Sequence, residues 1–267
     1  MGTLILAVTT LFLYSVGTAF QTLIFRGRIK ANSNLTSLIG VLALASHGAL
    51  IWDRIPQTSM INMGFFPASL LISWFVVLLL LILNSRKPLQ ILFLAAYPLA
   101  ALTVVFVLIF HSPPHYVSQS NWGMLAHIAL AITAYSLFTL AAVQAFLVNL
   151  QNRQLKRNYN SLLIRNLPPL QTMESLLFEL LWAGVIVLTL AIITGSIFVH
   201  DLFDQNLAHK SLFSILSWFV FSGLLIGHYT QGWRGQTASR WTLAGCALLM
   251  ISYYGSKFAL EFIFHPG

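Results

Sequence analysis

The chain is 267 residues long, 58% hydrophobic and only 7% charged, with a formal net charge of +8 and a mean hydropathy of +0.81. Soluble domains carry about 25% charged residues, so this composition excludes a water-soluble protein and predicts an all-α, polytopic integral membrane helix bundle. The basic balance fits loops that face the cytoplasm and anionic lipid and does not call for nucleic acid, while the single cysteine, Cys246, excludes an intramolecular disulfide and any CxxC motif.

Crossing the hydrocarbon core takes about 20 apolar residues. Eight runs qualify: Thr3–Phe25, Leu35–Trp52, Gly64–Leu83, Leu89–Phe110, Gly123–Leu150, Leu176–Phe203, Ser211–Thr230 and Arg240–Phe264. They are expected to form a single transmembrane domain over residues 1–267, with membrane lipid as its surroundings. The first run has no basic n-region, is too long for the apolar part of a signal peptide, and stops at Arg26, Arg28 and Lys30, as a retained span does. The longest polar connection, Gln151–Ser175, contains the helix-breaking stretch Leu167-Pro168-Pro169-Leu170, and Thr172 is then placed to cap the next helix. Cys246, inside the last run, reads as a small packing residue. There is no internal repeat and no low-complexity tract.

Orientation follows from the cations. The first, third, fifth and seventh connections hold eleven of the fourteen Lys and Arg residues. The positive-inside rule therefore puts these loops in the cytoplasm and both termini on the outer face, the periplasm in a bacterium. With that orientation seven of the eight histidines fall on the outer side: His47, His127 and His200 near helix ends, His111, His115 and His209 in loops, and His265 at the C-terminus. Only His228 lies at the cytoplasmic end. Neutral imidazole is the commonest metal ligand among side chains, so a layer of imidazoles at one face suggests a haem or metal site.

Among these, His127 is the strongest candidate. It sits one turn into the fifth run, and helical spacing puts Ala131, Ala134, Tyr135 and Phe138 beneath it on roughly one face. Small residues there leave room for a flat ligand, or equally allow close helix packing around a hydrogen-bonded histidine. His47, in Ala45-Ser46-His47-Gly48-Ala49, carries the same two readings. His200-Asp201 reads as a solvated helix end, His111 and His115 as a solvated loop around Pro113-Pro114, and His228 as an interface histidine beside Tyr229 and Trp233. Gly184 and Gly195 read as helix contacts. No GxSxG, HExxH, P-loop or strand-associated GxGxxG occurs, and no acidic or basic residue sits at mid-membrane to suggest a coupled ion transporter.

From Trp122 to the C-terminus the chain resembles the cytochrome c assembly membrane proteins of the CcsA/HemX type. The matching stretches are Trp122-Gly123-Met124-Leu125-Ala126-His127 with Ala134-Tyr135-Ser136-Leu137-Phe138, then Leu167-Pro168-Pro169-Leu170 with Met173-Glu174, and Gly184, Leu188-Thr189 and Gly195. Leu216-Ser217-Trp218-Phe219, His228-Tyr229, Gly232-Trp233-Arg234-Gly235 and Tyr253-Tyr254-Gly255 complete them, and Ser46-His47-Gly48 and Asn62-Met63-Gly64 add to the first half.

The resemblance implies a bacterial inner-membrane protein that handles haem at the outer face. Non-covalent, b-type haem would have His127 as one axial ligand and His265, or else His47, as the second; His228 matches a membrane-embedded histidine of the family. It implies a carrier or accessory factor rather than an enzyme, working with a cytochrome assembly subunit. Haem-delivering members carry a tryptophan-rich WWD loop between the sixth and seventh spans, where this chain reads His200 to Lys210 without a tryptophan. That departure keeps a second reading open: a haem-free accessory or regulatory protein acting on a haem-synthesis enzyme or a transport protein.

Overall fold

A computed structural model describes residues 2–30, 32–57, 60–85, 89–110, 116–118, 121–157, 166–198 and 205–255. Eight α-helices are present among them: α1 (Gly2–Phe25), α2 (Ser33–Arg54), α3 (Phe65–Asn84), α4 (Gln90–Ile109), α5 (Trp122–Arg157), α6 (Leu170–Phe198), α7 (Gln205–Gln231) and α8 (Gly235–Met250). α8 runs into a π-helical turn, Ile251–Gly255. Seven of the helices are long and apolar enough to cross a membrane. The eighth expected span begins with α8, and its remainder, with His265, lies outside the described residues.

Elementary local physics sets these helices. α1 ends where Gly27 takes a left-handed φ of 67° and Arg28 N–H returns to the Leu23 carbonyl, a glycine-terminated cap that satisfies otherwise orphaned carbonyls. α2 starts under Asn32, whose side chain accepts the Leu35 N–H at 3.1 Å. Hydroxyls inside the apolar runs bond back to the carbonyl one turn earlier, as Thr9, Ser15, Thr18 and Thr22 do, because lipid offers them no water. α6 begins at Leu170, directly after Pro168-Pro169, and Met173 N–H already bonds to the Pro169 carbonyl. Thr172 is therefore inside the first turn and not its cap: the proline pair, lacking donors, starts the helix three residues earlier than expected.

The described residues form two compact units, 1–120 and 121–267. In the first, α1 packs on α2 and α4, and α3 on α4 and α2. A small antiparallel sheet closes this unit beyond the ends of α2 and α4, in the order β1 (Pro56–Gln57), β2 (Met60–Asn62), β3 (Tyr116–Ser118). Its register pairs Gln57 with Met60, and Ile61 with Val117. Two- and three-residue strands carry no periodic signal, so the sequence predicts only loops there.

In the second unit α5 lies along α6 and α8, and α7 packs on α8 and α6. Its centre is a ring stack, Phe138 on Phe221 at 4.0 Å and 8°. A Cβ at Gly184 would meet the Phe138 ring at 2.8 Å, and one at Gly245 the Phe221 ring at 2.5 Å. Gly184 is thus a helix contact, as expected. So is the buried Cys246 a packing residue, its thiol donating to the Phe138 carbonyl at 3.3 Å. Outside these cores the helices present large apolar side chains such as Phe12, Ile186, Leu190 and Phe219, which is how a bundle meets lipid. Trp52 and Trp122 stand 79% and 80% exposed at helix ends, the positions of an interfacial aromatic belt.

Candidate functional site: buried and half-buried histidines

Each of the three histidines whose side chains are described is fixed through Nδ1. His127, half-buried on α5, has Nδ1 2.8 Å from the Ala191 carbonyl oxygen of α6. A carbonyl only accepts, so Nδ1 carries the proton and Nε2 holds the lone pair. The imidazole lies against α6 at Gly195, where a Cβ would stand 2.8 Å from Cε1 and 3.1 Å from Nδ1. Gly195 is the helix contact expected, and what it contacts is His127 itself. Beneath the histidine, Ala134, Tyr135 and Phe138 are buried in the same unit, and the Tyr135 hydroxyl donates to the Leu249 carbonyl at 2.9 Å.

His228, near the end of α7, has Nδ1 2.7 Å from the Trp233 carbonyl oxygen, so by the same reasoning its Nε2 is the free nitrogen. Its ring stacks on Phe178 of α6 at 3.6 Å and 20°. The bond closes the turn between α7 and α8, in which Gly232 has a φ of 67° and Gly235 of 58°. His228 and His127 meet α6 at Phe178 and at Ala191, thirteen residues apart, or about 20 Å along a helix at 1.5 Å per residue. One iron cannot take both.

His47 belongs to the first unit and is wholly buried. Its Nδ1 is 2.8 Å from the Tyr14 hydroxyl of α1, and its Nε2 has no hydrogen-bond partner among the described residues. A ring enclosed on every side offers no open face to a porphyrin, so His47 fits haem less well than the half-buried His127. His111, His115, His200 and His265 lie outside the described residues, and of His209 only the backbone, in α7, is described. No group of three or more His, Cys, Asp or Glu residues able to hold a metal ion occurs among the described residues; haem, which needs only one or two axial ligands from the protein, is compatible with that.

Residues that the sequence reading did not single out complete the picture. Tyr14 and the Ala191 carbonyl orient two of the histidines. The signal for Tyr14 was available, since it shares a helical stripe with Thr10, Gly17 and Gln21, all buried; a backbone carbonyl leaves no signal in side-chain patterns. Trp218 and Thr189, in stretches quoted for the resemblance, turn out to be partners, the indole N–H donating to the hydroxyl at 2.8 Å.

These features define a multi-pass α-helical membrane protein with histidines oriented by hydrogen bonds at Nδ1. The chain belongs to the cytochrome c assembly protein family, whose model matches residues 35–264. It is 30% identical over 266 residues to the inner membrane protein YpjD of Escherichia coli strain K12, covering 97% of this chain and 99% of that one. Protein HemX of Brevibacillus brevis is 30% identical over 134 residues, 49% of each chain. The cytochrome c biogenesis protein CcsA of Prochlorococcus marinus strain MIT 9515 is 23% identical over 232 residues, 73% of each chain. No solved structure matches the chain significantly. The expected CcsA/HemX resemblance and the placement in the inner membrane are borne out.

Proposed function

We propose that the protein handles haem at the outer leaflet of the inner membrane, as a carrier or accessory factor in cytochrome c assembly and not as a catalyst. The observation that carries this reading is the Nδ1 bond from His127 to the Ala191 carbonyl. A ligating histidine characteristically donates its other ring N–H to a fixed acceptor, which sets the tautomer and raises the basicity of the ligating nitrogen. His127 Nε2 would hold the iron of a non-covalent b-type haem. His265, the second ligand that the resemblance implies, would supply the other imidazole. Bound haem would contribute an iron centre held by axial imidazoles; the chain's own work is to orient His127, exclude water with apolar helix faces and keep the porphyrin at one membrane surface. His228, oriented in the same way by Trp233, is available to a ligand at the opposite end of its unit.

Membrane lipid surrounds the chain, and a cytochrome assembly subunit is the proposed protein partner. The tryptophan-free stretch from His200 to Lys210 favours one second reading, a haem-free regulator of a haem-synthesis enzyme or transport protein. The visible spectrum of the detergent-purified protein, oxidised and dithionite-reduced, separates the two. A Soret band with sharp reduced α and β bands, abolished in His127→Ala, is the expected result. A colourless protein that also fails to take up added haemin sinks the haem reading.

A further inference from the structure

Rings of the second unit are seated where a facing segment carries glycine. A Cβ at Gly184 would meet Phe138, one at Gly245 would meet Phe221, and one at Gly227 would meet Trp233. Each of those rings is covered on a second side as well: Phe138 and Phe221 stack on each other, and Trp233 lies 5.3 Å from Trp241.

Two further rings are seated in the same way, on α5 and α6 at the end of the unit away from His228. His127 of α5 rests at Gly195 of α6, and Phe198 of α6 rests at Gly123 of α5, where a Cβ would run into its ring. The arrangement is reciprocal, since each helix omits a side chain to admit a ring of the other. Four residues separate Gly123 from His127 and three separate Gly195 from Phe198, so the two seats lie about one helical turn apart. Phe198 is the last residue of α6 and stands on the outer side of His127 in the expected orientation.

Unlike Phe138 and Phe221, these two rings are not closed in. Phe198 keeps 42% of its surface exposed although one side of it lies on Gly123. His127 is half-buried, with Nδ1 engaged by the Ala191 carbonyl and Nε2 free of any described partner. A phenylalanine that meets only lipid needs no such seat: Phe146, also exposed on α5, is the ring nearest to no glycine. Fluid lipid accepts any rotamer. A flat, rigid ligand gains from a ring already fixed in one, because the ordering is done before binding.

We propose that Phe198 is a ligand-binding residue of the His127 site: its open side packs against the porphyrin beside the His127 axial bond, and Gly123 holds it there. The assignment rests on the haem reading of His127 and adds to it a residue that recognises the macrocycle rather than the metal. His127 offers a lone pair to the metal ion. Phe198 offers a π-face to the flat ring, a contact that aromatic pairs favour beyond the area they bury.

The test uses the full-length chain in detergent, with 4-fluorophenylalanine placed at position 198 in one sample and at position 146 in another. Each is titrated with zinc protoporphyrin IX, which is diamagnetic; binding is read from the Soret band and the label by ¹⁹F NMR. The expected result is an upfield ring-current displacement at 198 that saturates with the Soret change, while the resonance at 146 stays in place. Phe198→Leu is expected to weaken haemin binding about two- to tenfold, the worth of one aromatic contact, with the Soret maximum unmoved; Phe146→Leu is expected to leave binding unchanged. Saturable binding that His127→Ala abolishes, but that leaves the 198 resonance where it was, overturns the role of Phe198 and keeps the haem reading. A Soret maximum displaced in Phe198→Leu also overturns it, since the ring would then be a prop for His127 and not a contact of the ligand. A protein that takes up neither zinc protoporphyrin nor haemin overturns both.

Discussion

Gly195 is a glycine because of His127: the imidazole rests where its side chain would begin, 2.8 Å from the nearest ring carbon. In Gly195→Ala the ring has to swing away and give up the Ala191 carbonyl. The expected outcome is a folded protein destabilised by about 1–3 kcal/mol, as overpacking typically costs, in which any haem spectrum is weakened or shifted. A thermal melt in detergent alongside the reduced visible spectrum checks both.

The contacts of His228 and His127 on α6, Phe178 and Ala191, lie a little under half the length of that helix apart. His228→Phe keeps the stack on Phe178 and removes only the bond to Trp233. A loss of about 0.5–1.5 kcal/mol is expected for that hydrogen bond, with the His127-dependent Soret band retained. Loss of that band in the purified His228→Phe protein would mean that His228, and not His127, holds the iron.

Tyr14→Phe removes a hydroxyl at constant shape and leaves His47 without its only hydrogen-bond partner among the described residues. Truncating one side of a buried pair costs about 1–3 kcal/mol. Tyr97→Phe, which removes a hydroxyl with no hydrogen-bond partner among the described residues, should be closer to neutral, and a melting comparison of the two variants at equal lipid content reads the difference.

Gly40→Ala tests the α1–α2–α4 junction. Its new methyl would meet Leu81 at 2.6 Å and the Tyr97 hydroxyl at 2.9 Å, so about 1–3 kcal/mol of destabilisation is expected. Gly2→Ala, with nothing within 4 Å, is the matched control.

Both termini are expected on the outer face, because the basic residues gather in alternate connections. An alkaline phosphatase fusion at the C-terminus should be active and a green fluorescent protein fusion there dark; the reverse pattern would invert every inner and outer assignment made for the histidines.

Much of this protein is determined by the sequence alone. A charge content of 7% and runs of about 20 apolar residues leave lipid as the only solvent for the surface, and in lipid every backbone group has to be satisfied within a helix. Hence the helices appear where hydropathy puts them, to within a few residues at most ends, and quoted stretches around His127 and His228 carry the family. Tertiary structure decided the rest. Hydropathy does not distinguish a face turned to lipid from one turned to another helix, since both are apolar, so it could not tell that Gly195 holds His127 or that Gly17 and Gly40 admit Tyr97. The same blindness covers backbone acceptors: Ala191 and Trp233 orient their histidines through carbonyls that every residue possesses. His127 and His47 read alike in the sequence, each a histidine among small residues near a helix end. Packing made one half-open against α6 and enclosed the other completely, and that difference in access separates a candidate ligand from an internal polar group.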